Sequence, residues 1–316
     1  MKRQYLYVST VISALWASLY LLLVGCSAGG DSFYMAALGL NEGRILVANS
    51  VTNPGSKTIV MYDLSGRFIS VVADRTSFGE NLRGLALFDP YNFILSTDTP
   101  DELKKVNIFN GHVSSYASNA LFTGNIYDTI RQSAGVYLTV ESNTIEKFIN
   151  GQRTPSVGNP YINTTTGGCT ISAARGLAIN SAGELLVSSF TNNLILRYDI
   201  STSTASCLTS ISATGTQPVP IVIHPDGNAY FGTQGGTDTI YSIPENLSSG
   251  ATAILSGAEI NNPVAMAVLP NGNLLIANDG TDVIIEITTA GVVVNSNFIK
   301  DAFVGTVSAM LVIPPQ

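Results

Sequence analysis

The chain is 316 residues long, 45% hydrophobic and only 12% charged, with 29 glycines. That balance suits many short strands joined by tight turns and argues against long helices, while the length allows either two domains or one large all-β domain. The net charge of −7 comes with no basic stripe, which excludes a nucleic-acid partner.

In chain order, Lys2 and Arg3 precede an uncharged apolar stretch from Tyr5 to Val24, the pattern of an export signal that must enter a bilayer. It ends in Leu23-Val24-Gly25-Cys26, which resembles the lipobox of bacterial lipoproteins. The resemblance implies cleavage after Gly25 and acylation of Cys26, so that the membrane is a partner through a lipid anchor. An uncleaved spanning anchor is the alternative, since about 20 apolar residues can cross a bilayer. Ser27, standing where an Asp would retain a lipoprotein in the inner membrane, favours by the same resemblance the outer membrane, facing the periplasm or the exterior. Residues 1–25 are thus expected to be a signal peptide, 26–32 a lipidated cysteine with a short tether, and 33–316 the folded part. Without Lys2 and Arg3 that part carries 13 basic against 22 acidic residues, a net charge of −9.

From here one motif recurs: an apolar strand, a turn, a second apolar strand ending in small polar residues, a polar loop and a third strand. Tyr34–Leu40 reads as a first strand, and Phe68–Val72 as a fourth strand of the same copy. The clearest copy runs from Gly176 to Asp199. Two others run from Ile221 through Pro225-Asp226-Gly227 to Ile243, and from Ala265 through Asn271-Gly272 to Ile287, with Val292–Val294 as a further strand. Asp-Gly and Asn-Gly between apolar runs are hairpin signals, because both residues tolerate positive φ. The turn positions are Gly43, Tyr91 in a degenerate copy, Gly135, Gly183, Gly227 and Gly272, with spacings of 48, 44, 48, 44 and 45. A near-constant period predicts radial repetition rather than a sandwich or barrel: an all-β, six-bladed β-propeller. Ala309-Met310-Leu311-Val312-Ile313-Pro314 repeats the pattern of Ala265–Pro270, as if to latch the ring. Because Tyr34–Leu40 also reads as a first strand, an incomplete seventh blade is the competing arrangement.

The segment Ser188-Ser189-Phe190-Thr191-Asn192-Asn193-Leu194-Ile195 resembles the corresponding part of NHL-repeat propellers. More distant similarity extends to the gluconolactonase-like and strictosidine-synthase-like six-bladed family, over about residues 33 to 316. The resemblance implies architecture rather than activity. In an oxidising compartment Cys169 and Cys207 are expected to be bridged, two buried free thiols being the alternative.

First strands of propeller blades line the central channel. Eight residues before each turn position stand Met35, Arg83, Tyr127, Arg175, Val219 and Val264. In gluconolactonase-like proteins the residue before the Gly-Leu of this strand is often an Asn or Asp that ligates a cation. Here Arg83 and Arg175 occupy those places, and a guanidinium has no lone pair for a metal, so neither a metal nor another cofactor is expected. Arg83, Tyr127 and Arg175 are instead candidate ligand-binding residues that would hold a carboxylate or phosphate by forked hydrogen bonds. The competing reading has each arginine bridging blades through backbone carbonyls or a carboxylate such as Asp89.

Six residues after the turn positions come Asn49, Thr97, Glu141, Ser189, Thr233 and Asn278, with Asp98 and Asp279 adjacent. Their expected work is to tie down the following loops. Only two histidines are present, His112 and His224, and His224 is expected beside a turn. Phosphate-loop, nucleophile-elbow and zinc-helix motifs are absent, and no catalytic residue is assigned. Asn159–Ala174, the longest irregular segment between blades, is a place for binding specificity. The expectation is a monomeric, lipid-anchored binding or scaffold module for a protein, peptide or glycan. A lyase or hydrolase acting at the channel mouth is the alternative, and a purely structural envelope protein a third.

Overall fold

A computed structural model describes residues 42–50, 57–74, 77–78, 81–155, 159–301 and 303–315. The signal peptide, Cys26, the tether, Met35 and Tyr34–Leu40 lie outside the described residues. Arg44–Pro314 forms one compact unit, built from six four-stranded antiparallel sheets.

The first blade contains β1 (Arg44–Ser50), β2 (Lys57–Tyr62) and β3 (Phe68–Asp74). The second is β4 (Asn81–Asp89), β5 (Asn92–Asp98), β6 (Glu102–Asn107) and β7 (Val113–Ala117). The third is β8 (Ile126–Ser133), β9 (Val136–Glu141), β10 (Thr144–Ile149) and the two-residue β11 (Gln152–Arg153). The fourth follows as β12 (Ala174–Ile179), β13 (Leu185–Ser189), β14 (Leu194–Asp199) and β15 (Ser206–Ser212). The fifth is β16 (Pro218–Ile223), β17 (Asn228–Thr233), β18 (Thr239–Pro244) and β19 (Thr252–Ser256), and the sixth β20 (Pro263–Val268), β21 (Leu274–Asn278), β22 (Val283–Ile287) and β23 (Val293–Ile299). β24 (Val307–Ile313) then returns to the first sheet, inside β1, in the order β24-β1-β2-β3. Its register runs from Arg44↔Ile313 to Asn49↔Val307. The C-terminal repeat of the first-strand pattern is therefore the latch, and the blade count is six, not seven. Inner strands touch in the cycle β4, β8, β12, β16, β20, β24 and back to β4, which closes the ring.

Both faces of each inner sheet region are buried, which is why the second strands read as continuous apolar runs rather than alternating ones. All five residues of β13 are buried. Leu185 and Val187 pack toward the third blade with Leu138 and Val140, while Leu186 packs toward the fifth with Ala229 and Phe231. One such cluster fills each of the six interfaces between neighbouring blades.

The turn glycines Gly43, Gly135, Gly183, Gly227 and Gly272 all have φ between 70° and 86°. The three clearest turns share one geometry. In Asn180–Glu184 the Asn180 N–H donates to the Glu184 carbonyl (2.9 Å) and the Gly183 N–H to the Asn180 carbonyl (2.9 Å), and His224–Asn228 and Leu269–Asn273 repeat it. Only the glycine is left-handed; Asp226 and Asn271 are not. These are three-residue loops with a glycine bulge, so the two-residue Asp-Gly and Asn-Gly expectation is corrected on turn type while its position holds.

Cys169 and Cys207 are bonded, with Cα atoms 5.7 Å apart. The bridge fastens the Asn159–Ala174 segment to β15.

Candidate functional site

Every inner strand breaks register with its neighbour at the same height. The shifts fall between Leu82 and Leu85, Ile126 and Thr129, Ala174 and Gly176, Pro218 and Ile221, and Pro263 and Ala265, and opposite Ala48 and Asn49 on the closing strand. A bulge frees a residue from the ladder and re-aims its side chain. The freed positions hold Arg83, Tyr127, Arg175, Val219, Val264 and Ser308, and all six line one open cavity of about 450 Å³ at the mouth of the channel. The equivalence drawn from the repeat is correct in five blades. In the first, Ser308 stands where Met35 was expected, because the ring closes with β24.

At two of these bulges, in the second and fourth blades, a glycine lets the neighbouring blade approach closely. A Cβ on Gly84 would lie 2.5 Å from the Thr129 nitrogen, and one on Gly176 would lie 2.3 Å from the Val219 oxygen. Their freed N–H groups donate to Ser96 Oγ (2.7 Å) and Ser188 Oγ (2.8 Å) on the adjoining strands. The Arg-Gly-Leu sequence thus couples close approach of neighbouring blades to an arginine at the mouth.

Arg83, Tyr127 and Arg175 come together. The Arg175 guanidinium carbon lies 3.7 Å from the centre of the Tyr127 ring and 5.2 Å from that of Phe190, and the Arg83 carbon lies 5.5 Å from Tyr127. Such stacking holds a planar cation by its faces and leaves its in-plane N–H groups available. Arg175 donates once to protein, from Nη1 to the Ala174 carbonyl at 3.3 Å. Arg83 Nη2 pairs with Asp98 Oδ2 at 2.8 Å, while its Nε is buried without a partner. The pairing is within one blade, to Asp98. Asp89 instead accepts from the Tyr91 N–H and the Asn92 amide, so the bridging expectation is corrected in its partner.

Below the arginines, Asp128 occupies the waist of the channel. It lines both the mouth and a second cavity of about 390 Å³ on the far side, as do Leu85, Ile221, Met266 and Met310. Asp128 is partly accessible from the channel and otherwise enclosed by protein. Its carboxylate accepts N–H groups from Thr129 (2.7 Å) and from Leu177 of the next blade (2.9 Å). Burial outweighs both and pushes its pKa up to about 7. Sequence reasoning missed this residue, although the signal was present: Tyr127-Asp128-Thr129 aligns with Arg83-Gly84-Leu85 and Arg175-Gly176-Leu177, putting a carboxylate where the second and fourth blades have glycine. Phe190 was missed because its role is to back Arg175 from an adjacent loop.

Most residues of the second set tie loops. Ser189 Oγ accepts the Ser172 N–H (2.8 Å), Asn278 Oδ1 the Asn261 N–H (3.2 Å), and Thr97 donates to the Pro100 carbonyl (3.0 Å). Glu141 accepts from Thr123 and Arg153. Asp279 is the exception that reaches the mouth. Among the described residues no group of three His, Cys, Asp or Glu side chains is arranged to hold a metal. His224 is structural: its Nδ1 accepts the Asp226 N–H (3.1 Å), which leaves Nε2–H to donate to the Gly272 carbonyl of the sixth blade (2.9 Å).

No family profile and no curated sequence matches the chain. Solved structures match the fold. A propeller in a nidogen/laminin complex superposes with a TM-score of 0.69 at 11% identity, covering 87% of this chain and 99% of that one. The periplasmic gluconolactonase of Pseudomonas aeruginosa gives 0.53 at 9%, covering 87% and 99%. Virginiamycin B lyase from Staphylococcus aureus gives 0.52 at 17%, covering 70% and 71%. Enzymes and a protein of a binding complex thus share this architecture, and at these identities the likeness concerns the fold alone.

Proposed function

We propose that the chain is a binding propeller of the bacterial cell envelope, tethered through an acylated Cys26, whose channel mouth holds a small organic anion. One observation carries the reading: Arg175 is stacked on the Tyr127 ring, with Phe190 nearby, on the wall of an open cavity with most of its N–H donors unspent. A concave cavity of that volume, with apolar walls beside convergent polar groups in nearly equal measure, is of the size small-molecule sites take. Placement outside the cytoplasm is supported by the lipobox-like Leu23–Cys26 and by the Cys169–Cys207 bridge. A lyase or hydrolase at the same mouth is the second reading, and Asp128 favours it, since a carboxyl titrating near 7 suits proton transfer.

The test is titration calorimetry with benzoate and hexanoate, monoanions that combine a carboxylate with an apolar body. Charge-assisted hydrogen bonds contribute about 1.5–3 kcal/mol, so Arg175→Ala is expected to weaken binding by one to two orders of magnitude. Arg175 is the better target than Arg83, whose loss would strand the buried Asp98 carboxylate. Unchanged affinity in Arg175→Ala, or no binding of either probe to the wild type, would refute the anion site. For the tether, Cys26→Ser is expected to abolish palmitate labelling, and labelling that persists in the variant would refute acylation at Cys26.

A further inference from the structure

The mouth is electrically polarised across its diameter. The inner strands follow one another as β4, β8, β12, β16, β20 and β24, so the third blade, bearing Tyr127 between the two arginines, stands half a turn from the sixth. The sixth blade brings Asp279 to the same cavity. Asp279 Oδ2 accepts from the Asn262 amide at 3.0 Å. Its remaining electrostatic neighbours are Asp282 and Thr306, none of them cationic, and burial together with Asp282 holds its carboxyl above the usual range. A carboxylate in that setting gains from an incoming positive charge. Between the two poles the upper wall carries the apolar Leu85, Val219, Ile221, Val264, Met266 and Met310 together with the polar Gln234 and Ser308, while Asp128 lies at the waist below Tyr127.

We propose that the mouth takes a zwitterion, an amino acid or short apolar peptide, with its carboxylate on Arg83 and Arg175 and its ammonium group on Asp279. The inference rests on the anion site proposed above and adds the second pole. A dianion would place its second charge against Asp279, and a neutral glycan would leave the apolar lining and both poles without complement. A free peptide with small apolar side chains satisfies all three parts of the wall.

Calorimetry with Leu, Ala-Leu and Ala-Ala-Leu, each free and N-acetylated, tests this on wild type, Asp279→Asn and Arg175→Ala. In the wild type the best-fitting free compound is expected to bind at least tenfold more tightly than its acetylated form. Asp279→Asn should bring that ratio close to one, whereas Arg175→Ala should weaken free and acetylated forms in proportion and preserve it. Asparagine keeps an oxygen for the Asn262 amide, so the variant is expected to melt with the wild type. Equal binding of free and acetylated forms in the wild type overturns the zwitterion and leaves the anion site standing. So does binding of benzoate with no binding of any peptide. Loss of benzoate binding as well overturns the site on which both rest.

Discussion

Deleting residues 306–316 is expected to yield a chain that no longer unfolds cooperatively and that associates through its open sheet. β24 buries Val307, Met310 and Ile313 almost completely, with Ala309 beside them, and each large side chain fully buried contributes about 1.5–3 kcal/mol. Three of them account for about 5–9 kcal/mol, comparable to the whole stability of an ordinary domain, about 5–15 kcal/mol. The strand also supplies the partner for β1 along six positions and packs on both β20 and β4. Without it the first blade exposes unpaired backbone groups along the channel, and an open edge recruits other edges. Thermal melting followed by circular dichroism, with size-exclusion chromatography, gives the readout. A truncated chain that stays monomeric and melts within a few degrees of the full chain would show that the ring does not depend on its latch.

Arg153→Met is expected to cost about 3–5 kcal/mol near pH 8, the range for removing one partner of a buried ion pair. Arg153 bridges Glu141 (Nη1 to Oε2, 3.1 Å) and Glu146 (Nη2 to Oε2, 2.6 Å), with all three side chains 2% exposed or less, and also donates to the Leu121 carbonyl (2.6 Å). It fixes the short β11 and the loop before β8 in a blade whose outer strand is only two residues long. Glu146 gives the loss a pH signature. Burial, acting against its hydrogen bonds to Thr144 and Arg153, raises its carboxyl from 4.5 to about 7. A carboxyl raised in the native state binds its proton more tightly there than in the unfolded chain. Its contribution is therefore full below about 4.5 and is lost as pH rises through about 7. Removing the guanidinium pushes the carboxyl higher still, so the deficit should be smallest near pH 5 and widen toward pH 8. Urea unfolding at the two pH values measures it, and Glu146→Gln in the Arg153→Met background should cancel the widening. A deficit independent of pH would mean that Glu146 does not sense Arg153.

The architecture was legible because the turn takes a left-handed glycine in five of the six blades, and Gly43, Gly135, Gly183, Gly227 and Gly272 recur at a near-constant spacing. Counting back from Gly135 and Gly183 located Tyr127 and Arg175 on the channel wall, and counting back from Tyr91, the degenerate marker between them and Gly43, located Arg83. The count went wrong at Met35, because a ring closed by its last strand takes the sixth inner position from the other end of the chain, at Ser308. The match of Ala309–Pro314 to Ala265–Pro270 already held that answer. Which carboxylate meets Arg83 was not legible: Asp89 and Asp98 are both near in sequence, and only the bulge after Leu82 turns the guanidinium toward Asp98. The buried triad was hidden for a related reason, since Arg153 sits in the two-residue outer strand β11, which is too short to show the repeat's pattern. Charge burial at Asp128 depends on the neighbouring blade, and one strand read alone does not reveal its neighbour.

The common height of the six bulges separates two demands that usually conflict. A side chain at one of these places contributes no rung to the sheet, so exchanging it alters what the opening recognises while the pairing that holds the wheel together is left intact. Selection can therefore retune recognition at these points, as the change from arginine to tyrosine to valine to serine around the rim illustrates, with little cost to foldability except at Arg83, whose partner Asp98 is buried.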